Sequence, residues 1–209
     1  MTTPTPRSLI TAGLACAAAF VLTGLLVRQM PSPLDRLLLD GIRLVPGSTL
    51  ERLATVLSAI GVLAGLTLLI TVAIQAWRKG TPWLPPLLSF VLLVKCGSLV
   101  TLQAVFRRPG PPAVSGTFSY PSGHATIASA LAVTSIVISV MYARHLLRAL
   151  IPLQGAAVVI TMASRVALGE HYLTDVLGAI LGTSAIALLG LAVATTRWPG
   201  RPQNARAMK

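Results

Sequence analysis

A 209-residue chain that is 54% hydrophobic and only 11% charged, with a mean hydropathy of +0.78, reads as a membrane protein, because soluble domains carry about a quarter charged residues. Its net charge of +12, from 17 basic against 5 acidic residues, does not mark a nucleic-acid binder: the basic residues are scattered at the ends of apolar runs rather than gathered on one amphipathic element. Two cysteines, Cys16 and Cys96, sit inside apolar runs and read as packing residues, and neither lipidation at Cys16 nor cleavage is expected, since the run continues past it.

Residues 1–7 form a short polar tail. The apolar run from Ser8 to Val27 is, at roughly 20 residues, long enough to span a bilayer; Arg28 and Pro31-Ser32-Pro33 end it. Between Leu34 and Val45 the residues Leu34, Leu37, Leu38, Ile42 and Val45 recur at helical spacing, with Asp35, Arg36, Asp40 and Arg43 between them. That pattern predicts a short amphipathic helix at the membrane interface, either a connector or a substrate-entry element. A second span runs from Leu53 to Trp77, closed by Arg78-Lys79-Gly80, and a third from Thr81 to Phe106. A polar, Pro/Gly-rich connection from Arg107 to Ser122 leads into a fourth span ending at Tyr142. The fifth covers Ala149 to Leu168, the sixth Leu173 to Thr196, and a basic tail follows at 197–209. The expected fold is all-α, a six-helix transmembrane bundle with one interfacial amphipathic helix, forming a single membrane domain over residues 1–209.

Six spans put both termini on one side. That side carries Arg7, Arg78, Lys79, Arg144, Arg148, Arg197, Arg201, Arg206 and Lys209, while the other carries the remaining loop arginines and all five acids. The positive-inside rule then places both termini in the cytoplasm and turns the loops after the third and fifth spans outward.

Those two loops hold nearly all the reactive groups. His171 and Asp175 are four residues apart, so on a helix they share a face and can hydrogen-bond. An aspartate that accepts the Nδ1 proton leaves Nε2 unprotonated and able to attack an electrophile. Arg165 adds a planar cation of the kind that clamps phosphate oxygens. Ser122 can cap the fourth span and, with Gly123, presents N–H groups at a positive helix terminus, a ready anion site. His124, in the first turn, is placed to protonate a leaving oxygen. The plainer reading of the same residues is a polar loop at a membrane surface. Glu170 reads as a solvated acid, Tyr172 as an interfacial anchor, and His145, on the cytoplasmic side, as having no catalytic role.

The order Pro121-Ser122-Gly123-His124, then Ser164-Arg165-x5-His171-x3-Asp175, resembles the type 2 phosphatidic acid phosphatase superfamily, the integral-membrane lipid phosphate phosphatases. The resemblance covers roughly residues 53–195. Arg108-Pro109 matches the end of that family's first motif, Lys-x6-Arg-Pro, but the position of the lysine is held by Thr101. The nearest upstream lysine, Lys95, lies roughly 20 Å from Arg108 along a straight helix. Lys95 is therefore either an intramembrane functional group or a residue that snorkels or pairs within the bundle, and Arg107 is the other candidate for the missing cation.

The resemblance implies that His171 attacks phosphorus to form a phosphohistidine, oriented by Asp175, while His124 protonates the leaving group and later deprotonates water. Arg108, Arg165 and the amides of Ser122 and Gly123 are implied to hold the phosphoryl oxygens. It implies no cofactor and no metal, and no cysteine cluster or acidic pair suggests one. The implied partner is a lipid phosphate in a bacterial inner membrane, not a nucleic acid. Undecaprenyl diphosphate is the first candidate, with phosphatidylglycerol phosphate and phosphatidic acid next. A non-catalytic lipid-phosphate binding or transport protein with a degenerate first motif is the alternative. Neither the particular lipid nor the oligomeric state is encoded in these motifs.

Overall fold

The structure, a computed structural model, describes residues 5–78 and 83–197. Residues 1–4, the Lys79–Pro82 part of the second turn, and the basic tail beyond Arg197 lie outside the described residues. The chain is helical throughout: α1 (Pro6–Leu26), α2 (Pro33–Ile42), α3 (Thr49–Arg78), α4 (Leu84–Gly97), α5 (Gln103–Phe106), α6 (Gly123–Tyr142), α7 (Leu147–Ala167) and α8 (Leu173–Arg197). Among the described residues the one β feature is an isolated bridge between Pro109 and Phe118.

Six of these segments are long and apolar enough to cross a membrane, and the chain is a multi-pass membrane protein. Their starts follow ordinary capping chemistry. Thr5 accepts from Ser8 N–H at the head of α1, with Pro6 in its first turn. Ser32 and Asp35 form a capping box at the head of α2. The second span begins at Thr49 rather than at Leu53, because Ser48 Oγ accepts from Glu51 N–H at 3.2 Å and the Glu51 carboxylate reaches back to Gly47 N–H at 2.5 Å. The third span is composite: α4, a 3₁₀ stretch over Ser98–Leu102, and then α5.

The central helix is α6, packed against α3, α4, α7 and α8. It is rich in small residues on its buried faces, including Ala125, Ala128, Ser129, Ala132 and Ser135, which lets neighbouring backbones approach closely. Gln154 of α7 is fully buried, and its amide donates to Gly65 O at 3.2 Å and to Ser135 Oγ at 2.8 Å, fastening α3, α6 and α7 together. α1 packs on α8, where a side chain at Gly13 would collide with Leu189. Leu14, Leu22, Leu63 and Phe90 stand on the outside, more than half exposed, as a lipid-facing belt requires.

The connections at one end, residues 27–48, 107–122 and 168–172, meet there. Leu44 N–H donates to Ala167 O at 2.8 Å and Ser122 N–H donates to Asp175 O at 3.1 Å. In α2 the leucines Leu34 and Leu37 are exposed, as lipid-facing residues of an interfacial helix are, but Asp35, expected on the polar face, is at 1% exposure the buried residue. Asp35 turns inward because a cation and a hydroxyl wait for it there.

Candidate active site

The loop between α5 and α6 delivers two elements of the site. Arg107 closes α5 in the left-handed conformation (φ 49°) and keeps its side chain outside, with Nε donating to Ala104 O at 3.1 Å. The next residue, Arg108, turns in. A short loop is then pinned by Gly110 N–H to Thr117 O and Ser119 N–H to Arg108 O. Tyr120 is buried between Phe20 and Phe106, and its hydroxyl donates to Phe20 O at 2.6 Å. Its ring also lies where a Cβ on Gly24 or Gly178 would fall, so these glycines let α1 and α8 close on the loop. Burial pushes the Tyr120 phenol up, and the Asp175 charge adds to that.

Ser122 then caps α6, its Oγ accepting from Ala125 N–H at 3.5 Å. Its own N–H is already donated to Asp175 O, and the residue is fully buried. Of the two amides expected to hold an anion, Ser122 thus serves as the joint between the loops. Gly123 keeps the first-turn N–H that its helix cannot satisfy. His124 is exposed on the first turn of α6 and lies within electrostatic reach of Arg165 and His171.

The second loop is a tight turn after α7. Leu168 N–H and Gly169 N–H donate back to Ser164 O and Val166 O, and Gly169 adopts φ +68°, a conformation that favours glycine. The Arg43 stem lies against Gly169, where a Cβ would meet its Nε at 3.1 Å. Arg165 forms an ion pair with Glu170, so Glu170 is a partner rather than a free solvated acid. His171 precedes α8 and is not on it. The Asp175 carboxylate accepts from Tyr172 N–H at 2.9 Å, which makes it a cap and starts the helix at Leu173. The expected helical dyad is therefore formed across a turn, with His171 Nδ1 3.6 Å from Asp175 Oδ2. At that separation Nδ1 has no hydrogen-bond partner.

Beneath the two histidines lies an ion cluster. Arg108 is 1% exposed; its NH1 donates to Asp175 Oδ1 at 2.5 Å and Thr174 Oγ1 at 2.6 Å, and its NH2 to Asp35 Oδ2 at 2.8 Å. The Tyr172 ring stacks on the guanidinium at 4.3 Å, so Tyr172 is a buried wall of the cluster and not an interfacial anchor. Thr174 N–H donates to Asp35 Oδ1 at 3.0 Å and its hydroxyl to Asp35 Oδ2 at 2.7 Å. Burial pushes the Asp35 carboxyl up, but the Thr174 hydrogen bonds and the Arg108 charge outweigh it and hold the group below its ordinary range.

The structure thus gathers His124, Arg165, His171 and Asp175 at one end of the bundle and places Arg108 behind them, with both its terminal nitrogens committed to carboxylates. Asp35 and Thr174 were missed by the sequence reading. The available signal was scarcity, since Asp35 is one of only five acids in the chain and stands in a capping box. The first-motif lysine has no replacement at Thr101, whose hydroxyl turns back to Ser98 O. Lys95 is exposed on the same outward face of α4 as Val91 and Val94, opposite the buried Leu92 and Cys96. Among the described residues, no group of three His, Cys, Asp or Glu side chains could hold a metal ion.

This fold is that of an integral-membrane protein in which two histidine-bearing segments meet near an arginine–aspartate cluster. The profile of the PAP2 superfamily matches residues 91–199, more than half of the chain, and the protein belongs to that superfamily. The matched segment starts later than the resemblance read from the motifs, leaving α1 to α3 outside it. Among solved structures, the chain is similar to a transmembrane PAP2-type phosphatidylglycerolphosphate phosphatase from Bacillus subtilis, with a TM-score of 0.64 at 19% identity, covering 90% of this chain and 98% of that one. At that identity the likeness speaks for the fold. No curated protein matches the sequence.

Proposed function

We propose that the protein is a lipid phosphatase that cleaves a phosphate or diphosphate from a membrane lipid through a phosphohistidine on His171. The observation that carries this reading is the meeting of His171, His124 and Arg165 at one mouth, with the Asp175 carboxylate 3.6 Å behind the nucleophile's Nδ1. Nε2 of His171 attacks phosphorus in line with the leaving oxygen, forming the P–N bond as the P–O bond breaks. His124, on the exposed first turn of α6, gives its proton to the leaving lipid oxygen. It then takes a proton from the water that attacks phosphorus and releases His171 and inorganic phosphate. Arg165 and the Gly123 N–H at the helix terminus stabilise the charge on the equatorial oxygens. The role implied for Ser122 reduces to holding that terminus in place. Arg108, buried behind Asp175, serves the phosphate through the dyad, and Nε is the one guanidinium nitrogen it leaves unpartnered.

With both termini cytoplasmic, the site faces outward in a bacterial inner membrane and meets lipids of the outer leaflet. That side favours a diphosphate of an isoprenoid carrier, undecaprenyl diphosphate, over phosphatidylglycerol phosphate and phosphatidic acid. The commitment of Arg108 and the absence of a lysine at 101 favour one rival, a non-catalytic lipid-phosphate carrier. Phosphate release by the purified protein, in detergent with EDTA and no added metal, separates the two. We expect release from the isoprenoid diphosphate, its abolition in His171→Ala, and a loss of about 10²–10⁴-fold in His124→Ala. No release from any of the three lipids, or wild-type turnover in His171→Ala, overturns the reading.

A further inference from the structure

We infer that Asp35, on the helix that precedes the matched family segment, is a positioning residue of this site, acting on His171 through Arg108 and Asp175. The inference rests on the phosphatase reading above. Four hydrogen bonds converge on the Asp35 carboxylate: from Ser32 N–H, Arg108 NH2, Thr174 N–H and Thr174 Oγ1. The first comes from the cap of α2 itself; the other three come from the first motif loop and the first turn of α8. A buried carboxylate with so many donors is not a surface acid that fell inward. Desolvating it is costly unless every lone pair is used, and here nearly all are used on groups that touch Asp175.

The arrangement divides Arg108 between two carboxylates. Without Asp35, both terminal nitrogens of the guanidinium would turn to Asp175, in the bidentate geometry that arginine and carboxylate favour. Asp175 would then be drawn towards the cation and away from His171. With Asp35 present, NH2 is held off, and Asp175 Oδ2 stays with Tyr172 N–H and the imidazole. Two carboxylates against one guanidinium also leave one net negative charge beside His171. Charged and titratable groups face this cluster from every element packed on it: Asp35 and Arg36 from α2, Arg108 and Tyr120 from the first loop, His171 and Tyr172 from the second, and Asp175 from α8. His124 on α6 stands within electrostatic reach of Arg165 on α7 and of His171.

The test is Asp35→Asn, which keeps an oxygen for the Ser32 cap and removes the charge. In the full-length detergent-purified protein, with an isoprenoid diphosphate as substrate, we expect kcat to fall about 10–100-fold with KM changed less than about threefold. A role in folding alone would lower the yield of active protein and leave kcat per folded molecule where it was. In an Arg108→Gln background the same substitution should change kcat less than about threefold, because the route runs through the guanidinium. Should Asp35→Asn not fold, Thr174→Val removes one link of the cluster with its charges intact and should lower kcat in the same sense by a smaller factor. A wild-type kcat in the folded variant, or an undiminished effect without Arg108, overturns the inference. These outcomes are read against wild type and His171→Ala: if wild type releases no phosphate, it is the phosphatase reading that has failed.

Discussion

Asp175 divides one carboxylate among three neighbours. Oδ1 accepts from Arg108, Oδ2 accepts from Tyr172 N–H, and His171 Nδ1 stands 3.6 Å from Oδ2. The capping role is what pulls the helix start to Leu173 and leaves His171 in a turn, where its ring is positioned by neighbours and not by a helical rotamer. Sequence spacing identified the pair because i and i+4 are close in a turn as well as in a helix. It could not reveal Asp35, whose partner Thr174 is 139 residues away; helical periodicity assigns such a residue to a polar face, and a polar face normally meets water. The buried carboxylate has a consequence for stability. Its pKa is depressed in the fold relative to the ordinary 3.8, so its stabilising contribution is fully present above that ordinary value and is lost as pH falls through the folded one. The melting temperature of the detergent-solubilised protein should hold from pH 7 to about pH 5 and drop below about pH 4. The drop should be smaller in Asp35→Asn, and an identical acid profile in the two proteins would refute this assignment.

Among the elements, α4 and α2 separate most clearly what a hydropathy pattern does and does not encode. α4 is uniformly apolar apart from Lys95, and the reading left open whether that lysine serves the substrate or the bundle. The helix settles its face: Leu92 and Cys96 point in, Val91, Val94 and Lys95 point out. On the outward face the four-carbon stem can lie along lipid while the ammonium climbs to the interface. Lys95→Met should leave both kcat and KM within about twofold of wild type. A large rise in KM would show that the lysine reaches the substrate from the outer surface. For α2 the pattern of leucines was legible, but the burial of Asp35 was not, because it depends on Arg108 and Thr174, which lie far away in the sequence.

At the scale of the molecule the six spans could be read directly, since each carries its own hydrophobic length. The neighbours they choose could not, since lipid-facing and core-facing residues are equally apolar and the contacts are decided by small residues and buried amides such as Gly61 and Gln154. All the loops that build the site lie at the end of the bundle opposite residues 5 and 197. A cysteine placed at the exposed Ser115, in a chain with Cys16 and Cys96 replaced by alanine, should therefore react with a membrane-impermeant maleimide on intact cells. Labelling only after lysis would reverse the orientation and put the substrate in the inner leaflet.

The packing of α1 on α8, and the reach from Asp35 to Thr174, bear on how the protein is made. Membrane insertion during translation proceeds from the N-terminus, so the first helix enters the bilayer long before its neighbour exists. At ordinary translation speeds the delay is on the order of ten seconds or more. Until Arg108 is made, α2 carries a carboxylate with no cation to receive it, and until the chain is complete the two histidines belong to segments that have not met. On the proposed function, the chain therefore gains activity towards lipid phosphates only once its final span is threaded and the two loops have met.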